Sequence, residues 1–294
     1  MLSLQLKDLS IPDVQNYLQH SIGPRPICFA STIDKEGNVN LSPFSFFNLV
    51  STNPPIIVFS PSRRVRDNTT KHSLQNVFEV PEVVVNIVTW DILQQTSLSS
   101  CEYPKGVDEF VKTGLHKEDS VLVRPPRVKE SPVQLECRVL EVKPLGTEAG
   151  AGNLVIAEVL MIHVDESILN EKGLIDQRKL DLAARLGGNW YTRANTATIF
   201  EIEKPNILCG IGVDALPGNI RLSKILTGNN LGQLGNVHEY PLIDPSFEDQ
   251  KLKNIFEYFS INPDEMEEEL HKYASELLDE GKVREAWQVL LATD

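Results

Sequence analysis

The chain has 294 residues, 41% hydrophobic and 23% charged, with a formal net charge of −13. That length and balance suit one large domain, or a domain with an appendage, and supply enough apolar residues for a sizeable core. The longest apolar runs, such as Leu154 to Ile162, are too short and interrupted to span a bilayer, and MLSLQLKDLS lacks the basic start and apolar run of a signal peptide. The expectation is a cytoplasmic protein with no membrane partner.

The charge is unevenly spread. Ser246 to Asp294 holds 13 acidic and 5 basic residues, so −8 of the total falls in the last 49 positions. Such a tail repels phosphates, and no nucleic-acid partner is expected. Cys28, Cys101, Cys137 and Cys209 form no CxxC pair, and the six histidines form no HxxxH or HxH pair, so no metal site is expected. Cys28 and Cys137 sit in apolar, strand-like surroundings and read as small core residues.

Taken in order, the first two hundred residues read mostly as strands. PICFASTID, the turn residues KEGN and then VNLSPFSFFNLV predict a hairpin. IIVFS, after Pro54 and Pro55, is a short buried-strand pattern. Asp67 to Phe78 predicts a helix, with Asp67 as N-cap and Leu74, Val77 and Phe78 at helical spacing. VVVNIV, Val83 to Val88, is β-branched and predicts a central strand. In VQLECRV the residues Val133, Leu135, Cys137 and Val139 share one face, and Leu154 to Val164 answers it after the turn AGAGN. Strands in this order, with short helices between them, predict a closed or nearly closed antiparallel barrel.

The last third differs. Gly210 to Val237, rich in Gly, Asn and hydroxyls, predicts an irregular covering segment: a plain connection between packed units, or a lid packed near the mouth of a ligand site. From residue 246 to 292 three short amphipathic helices are predicted, with Asn262-Pro263 starting the second and Gly281 ending it. The expected division is a barrel over 1–204, the irregular segment over 205–245 and an acidic helical tail over 246–294.

SPSRRVRDNTTKHSLQN, residues 60–76, gathers Arg63, Arg64, Arg66 and Lys71 with five hydroxyls in an acidic chain. Composition alone allows a solvated loop; the same residue types are also the charge-assisted donors that a phosphate needs. Its neighbours favour the second reading. In SPFSFFN, Phe46 and Phe47 face opposite sides of a strand, and Ser45 and Asn48 give polar edges, a mixture suited to an isoalloxazine ring. Asn86, the polar residue within VVVNIV, needs partners that either neighbouring backbone or a ligand can supply.

GPRPICFASTIDKEGNVNLSPFSFFNLVSTNPPIIVFSPSRR, NTTKHSLQN, FEVPEVVVNIV, SSCEYPKGVDEF, RPPRVKESPVQLECRV, NLVIAEVLMIHVDESIL and LDLAARLGGNWYTR together resemble the flavin reductase-like family of FMN-binding split barrels, over roughly residues 20 to 195. The resemblance implies a mainly β split barrel with Greek-key strands and short helices, forming a homodimer that holds FMN near its interface. It implies that Ser45, Phe46, Phe47 and Asn48 line the isoalloxazine, that Ser60, Ser62, Arg64, Lys71 and Ser73 hold the phosphate, and that Arg25 and Arg185 lie near the flavin edge or dimer contact. Asn86 completes the candidate cofactor set. Relatives often read Lys-Asp-Thr where this chain reads Lys71-His72-Ser73. Short members that reduce diffusible flavin carry a late Gly-Asp-His motif; RLGGNWYTR stands in that region here, so the likeness is to the longer, flavoredoxin-like members. The implied function is FMN-dependent oxidoreduction between a donor, NADH or NADPH among the possibilities, and an acceptor. The alternative is a non-catalytic FMN-binding electron carrier or interaction protein that docks through the acidic tail.

Overall fold

The computed structural model describes residues 1–202 and 208–292 and forms two compact units, Met1–Phe200 and Glu201–Asp294. In the first unit, α1 (Ile11–Ser21) precedes β1 (Arg25–Pro26), β2 (Cys28–Ile33), β3 (Val39–Phe44), β4 (Phe47–Thr52) and β5 (Pro55–Phe59). Then come α2 (His72–Glu79), β6 (Glu82–Ile87), α3 (Leu93–Ser99), α4 (Glu109–Thr113), β7 (Lys117–Glu118), β8 (Arg127–Val128), β9 (Val133–Pro144) and β10 (Asn153–Val164). α5 (Gln177–Leu180), β11 (Leu182–Arg185) and β12 (Tyr191–Ala194) complete the unit.

Seven strands make one antiparallel sheet in the order β3-β2-β6-β9-β10-β5-β4. Its connectivity forces closure. β3 and β4 are the opposite edges, yet only Ser45 and Phe46 separate them in the chain. Laid flat, seven strands would hold those edges about 29 Å apart at ~4.8 Å per strand, whereas two linking residues reach only about 10 Å. The sheet therefore curls until its edges meet, leaving a split at Ser45–Phe46. Register shifts in the β9–β10 pair between Ile156 and Ala157, and between Val159 and Met161, add the local twist that such curling needs. The result is a mainly β split barrel.

The expected hairpin is β2–β3, paired from Cys28↔Phe44 to Ile33↔Val39, and VVVNIV is indeed an inner strand between β2 and β9. Cys28, Phe44, Phe59, Val85, Cys137 and Val155 fill the barrel, with α2 closing it through Leu74 and Val77. Burial pushes both core thiols, Cys28 and Cys137, far above the usual range. On the other face of β2, Phe29 packs with Ile92 and Leu93, just before and at the start of α3, and with Phe110 of α4.

One expected boundary is corrected. The helix predicted from Asp67 begins at His72, with Lys71 at its N-cap. Asp67 accepts hydrogen bonds from the backbone and hydroxyl of Thr69 (3.0 and 2.6 Å), and Asn68 adopts φ +55°. An aspartate that can cap a helix can equally close a local turn, and here the turn wins.

The second unit is helical: α6 (Gly218–Arg221), α7 (Gly228–Gly235), α8 (Gln250–Tyr258), α9 (Pro263–Asp279) and α10 (Val283–Leu290). The last three are the expected tail helices; Asn262 caps α9, and Gly281, with φ +75°, follows it. Residues 210–237, read from their glycines as an irregular path, contain the short helices α6 and α7. Leu216, Ile220, Leu226 and Leu234 share a core with Leu252, Leu270, Leu277 and the fully buried Trp287. The 204/205 boundary expected between barrel and segment lies outside the described residues.

Candidate functional site

The basic stretch at residues 60–76 is shaped largely by its own side chains. Arg63 donates from Nε to Asn68 Oδ1 (2.6 Å) and from Nη2 to the Asn68 carbonyl (2.7 Å), bracing the turn. Arg64 donates from Nη1 to Thr69 Oγ1 and the Thr70 carbonyl, both 2.8 Å, which fixes the guanidinium beside Lys71. Asn153 at the start of β10 donates to the Pro61 carbonyl (3.0 Å) and anchors the stretch to the sheet. A Cβ at Gly152 would stand 2.7 Å from Ser60 Oγ, so glycine permits this close approach.

Lys71 is the distinctive group. Its side chain is half-buried, with Nζ 5.4 Å from the centroid of the Phe44 ring. Among the described residues its ammonium has no hydrogen-bond acceptor or ion-pair partner. Burial and then the neighbouring Arg64 lower its pKa, with Glu102 opposing them. His72 is likewise held towards neutral by burial, Arg64 and Lys105. An enclosed cation beside a second cation is costly unless an anion completes the site.

Two adjoining clefts open here. The smaller, about 80 Å³, is lined among others by Asn40, Ser42, Arg64, Lys71, Glu102 and Glu109. The larger, about 320 Å³, is lined by Ser45, Phe44, Thr96, Ser97, Arg185 and Tyr191 among others. Ser100 lines both. The Ser42–Ser45 run, leading into the barrel split, passes from one to the other, so the closure of the sheet positions the site. Arg185 lies over the Tyr191 ring at 4.4 Å and donates to the Gly188 carbonyl.

The predicted residues divide accordingly. Arg64 and Lys71 meet in the smaller cleft, while Ser45 and Arg185 line the larger. Phe46, at the split, is 46% exposed, whereas Phe47 packs on the barrel core, so the two rings do face different environments. Asn48 is exposed and uses Oδ1 to accept from the Leu49 amide; Ser60 donates its amide to the Phe46 carbonyl at 2.9 Å, beside the split. Ser62 is half-buried within the stretch.

Three candidates are committed elsewhere. Ser73 is fully buried and donates to Asn40 Oδ1 (2.7 Å), so its hydroxyl serves the protein interior. Asn86 accepts from the Val128 amide (2.8 Å) and donates to the Val84 carbonyl (3.3 Å); backbone, not a ligand, satisfies it. Arg25 is buried and donates from Nη1 to the carbonyls of Gln19 and Ile22 and from Nη2 to that of Leu186, clamping the end of α1 to the turn after β11, while its Nε has no partner among the described residues. Its guanidinium still lies 6.0 Å from the Phe46 ring centroid.

Sequence reading missed the acids. Glu109 is buried, accepting from Asn40 Nδ2 (2.6 Å) and the Leu41 amide (3.0 Å); burial raises its pKa against those hydrogen bonds. Glu102 faces Arg64 and Arg66. Both lie within SSCEYPKGVDEF, and neither has a local pattern pointing to partners so far away along the chain.

A flavin reductase-like domain model matches residues 21–181. An uncharacterized protein of Aquifex aeolicus is 39% identical over 171 residues, covering 58% of this chain and 85% of its own. Nitrilotriacetate monooxygenase component B from Bacillus cereus superposes with a TM-score of 0.64 at 31% identity, covering 69% of this chain and 98% of its own. A protein from Shewanella frigidimarina described as having a split barrel domain superposes at 0.57 with 24% identity, covering 67% and 96%, and supports the fold. With more than half of its length matched, the chain belongs to the flavin reductase-like family.

Proposed function

We propose that this chain is an FMN-dependent oxidoreductase, with Lys71 and Arg64 holding the phosphate in the smaller cleft. The observation that carries this reading is the half-buried Lys71 ammonium beside Arg64, without an acceptor among the described residues. A dianionic phosphate supplies the missing charge and can accept from both side chains. Ser45 at the barrel split and the exposed ring of Phe46 offer the polar edge and apolar face that a flavin ring needs, with the exposed Asn48 beside them and Phe47 anchoring the strand in the core.

When bound, FMN supplies the group that accepts and passes on a hydride or electrons. The chain's part is to bind and orient that group and to place a cation, Arg185, in the larger cleft where negative charge can be stabilised. NADH or NADPH is the proposed transient donor. A homodimer is proposed as well: edge strand β4 has no buried residue and exposes Leu49 and Val50, and α1 has none either. A second copy would cover these apolar positions.

The test is anaerobic mixing of FMN-loaded protein with NADH or NADPH while the flavin absorbance is followed. Rapid bleaching is the expected result. Tightly bound flavin that neither donor bleaches would instead favour the carrier reading. That reading draws support from the helical unit Glu201–Asp294, which lies beyond the family match and carries most of the net charge.

A further inference from the structure

The smaller cleft contains an acid that an anion-binding site would not be expected to need. Glu102 follows α3 directly after Ser100 and Cys101, and its side chain reaches back over the stretch of cations. Oε1 lies 3.2 Å from Arg64 Nε and Oε2 lies 2.7 Å from Arg66 Nη2. The carboxylate thus engages the cation that neighbours Lys71. Hydrogen bonding and charge from Arg66 hold its pKa below the ordinary carboxylate range, so it is an anion at neutral pH.

The two acids of this cleft differ in freedom. Glu109 is locked, with its oxygens accepting from Asn40 and Leu41 in the interior. Glu102 is half exposed (50%), and among the described residues its side chain is held only by the two arginines. Arg64 would keep its position without it, because Nη1 remains bonded to Thr69 and Thr70. Rotating Glu102 outward therefore releases Nε of an already oriented guanidinium.

We propose that Glu102 is a displaceable counter-anion, which neutralises Arg64 and Arg66 in the ligand-free protein and must swing into solvent before a phosphate can occupy the cleft. This rests on the phosphate assignment above. A carboxylate left in place would stand within a few ångströms of the incoming dianion, where like charges repel strongly in a partly enclosed site. Its departure costs the ion pairs it makes, which are partly exposed and so modest. Glu102 thereby sets how tightly phosphate-bearing flavin is retained, without touching the ring.

The experiment measures FMN and riboflavin affinity by flavin fluorescence for the unaltered protein, Glu102→Gln and Lys71→Met. Glu102→Gln should tighten FMN binding about two- to fivefold, the range of a partly exposed ion pair, and leave riboflavin unchanged. Inorganic phosphate should compete with FMN at correspondingly lower concentration in this variant. FMN affinity that is unchanged or weakened in Glu102→Gln overturns the proposal; weakening would make Glu102 a positioning residue for Arg64. Lys71→Met separates the two ideas. If it reduces the preference for FMN over riboflavin while Glu102→Gln has no effect, the displaceable acid is wrong and the phosphate assignment stands. If the preference is undiminished in Lys71→Met, or is absent in the unaltered protein, the phosphate assignment fails and the role of Glu102 falls with it.

Discussion

Lys71→Met separates binding from stability, because the proposed phosphate contact and the burial of the ammonium act in opposite directions. Its ammonium is half-buried, lies beside the like charge of Arg64 and has no acceptor among the described residues. The lowered pKa has a definite sign: below both the folded and the unfolded value, native Lys71 holds its proton at a cost that the unfolded chain does not bear. Methionine keeps the length and apolar stem, and exchanges a cation–π contact worth about 0.5–1 kcal/mol with Phe44 for a thioether–aromatic contact of similar size. The variant should unfold at the same temperature as the parent or a higher one. In binding, a lost charge-assisted hydrogen bond to phosphate costs about 1.5–3 kcal/mol, or roughly ten- to a hundredfold in affinity. Fluorescence titration should therefore show FMN weakened by that factor and riboflavin little changed, with differential scanning calorimetry showing no loss of stability. A fall in melting temperature accompanied by equal losses of both flavins would refute the reasoning, since it would make Lys71 an ordinary structural residue.

Two further predictions concern charge. Glu136 has no exposed surface and accepts from the amides of Val121, Leu122 and Val123 and from His163 Nε2 at 2.7 Å, so Glu136→Ala leaves those donors unpaired. It should cost about 3 kcal/mol or more in urea unfolding, and a loss below about 1 kcal/mol would show that water replaces the carboxylate. FMN affinity should also decline as pH rises through the lowered pKa of Lys71, earlier than for an ordinary lysine, because the neutral amine cannot pair with phosphate. A profile that is flat up to the ordinary lysine range, or that the Lys71→Met variant reproduces, would contradict this.

The barrel was legible because its strands carry their burial in short patterns. Alternation in VQLECRV puts Cys137 and Val139 in the core, and β-branching marks the inner strand β6. Clustering of cations and hydroxyls in one stretch is enough to single out Arg64 and Lys71, which line one cleft. Glu102 could not be found that way: it lies 36 positions from Arg66, and their approach depends on the packing of α3 beside the barrel. Asn86 was ambiguous for a different reason, since a buried amide requires partners but its sequence does not say whose. The segment after Gly210 misled because its glycines resemble loop residues. Two of them instead allow close backbone approach: a Cβ at Gly210 would stand 2.6 Å from the Gly235 carbonyl, and one at Gly235 would stand 2.9 Å from the Gly212 carbonyl carbon.

The central claim, that the paired clefts at the barrel split hold FMN by its phosphate, is tested most directly by titrating FMN with the purified full chain, stripped of any flavin it carries, and following flavin fluorescence. The account predicts saturable quenching at micromolar protein that inorganic phosphate reverses. FMN fluorescence that stays unquenched at those concentrations, in a folded protein, would contradict it.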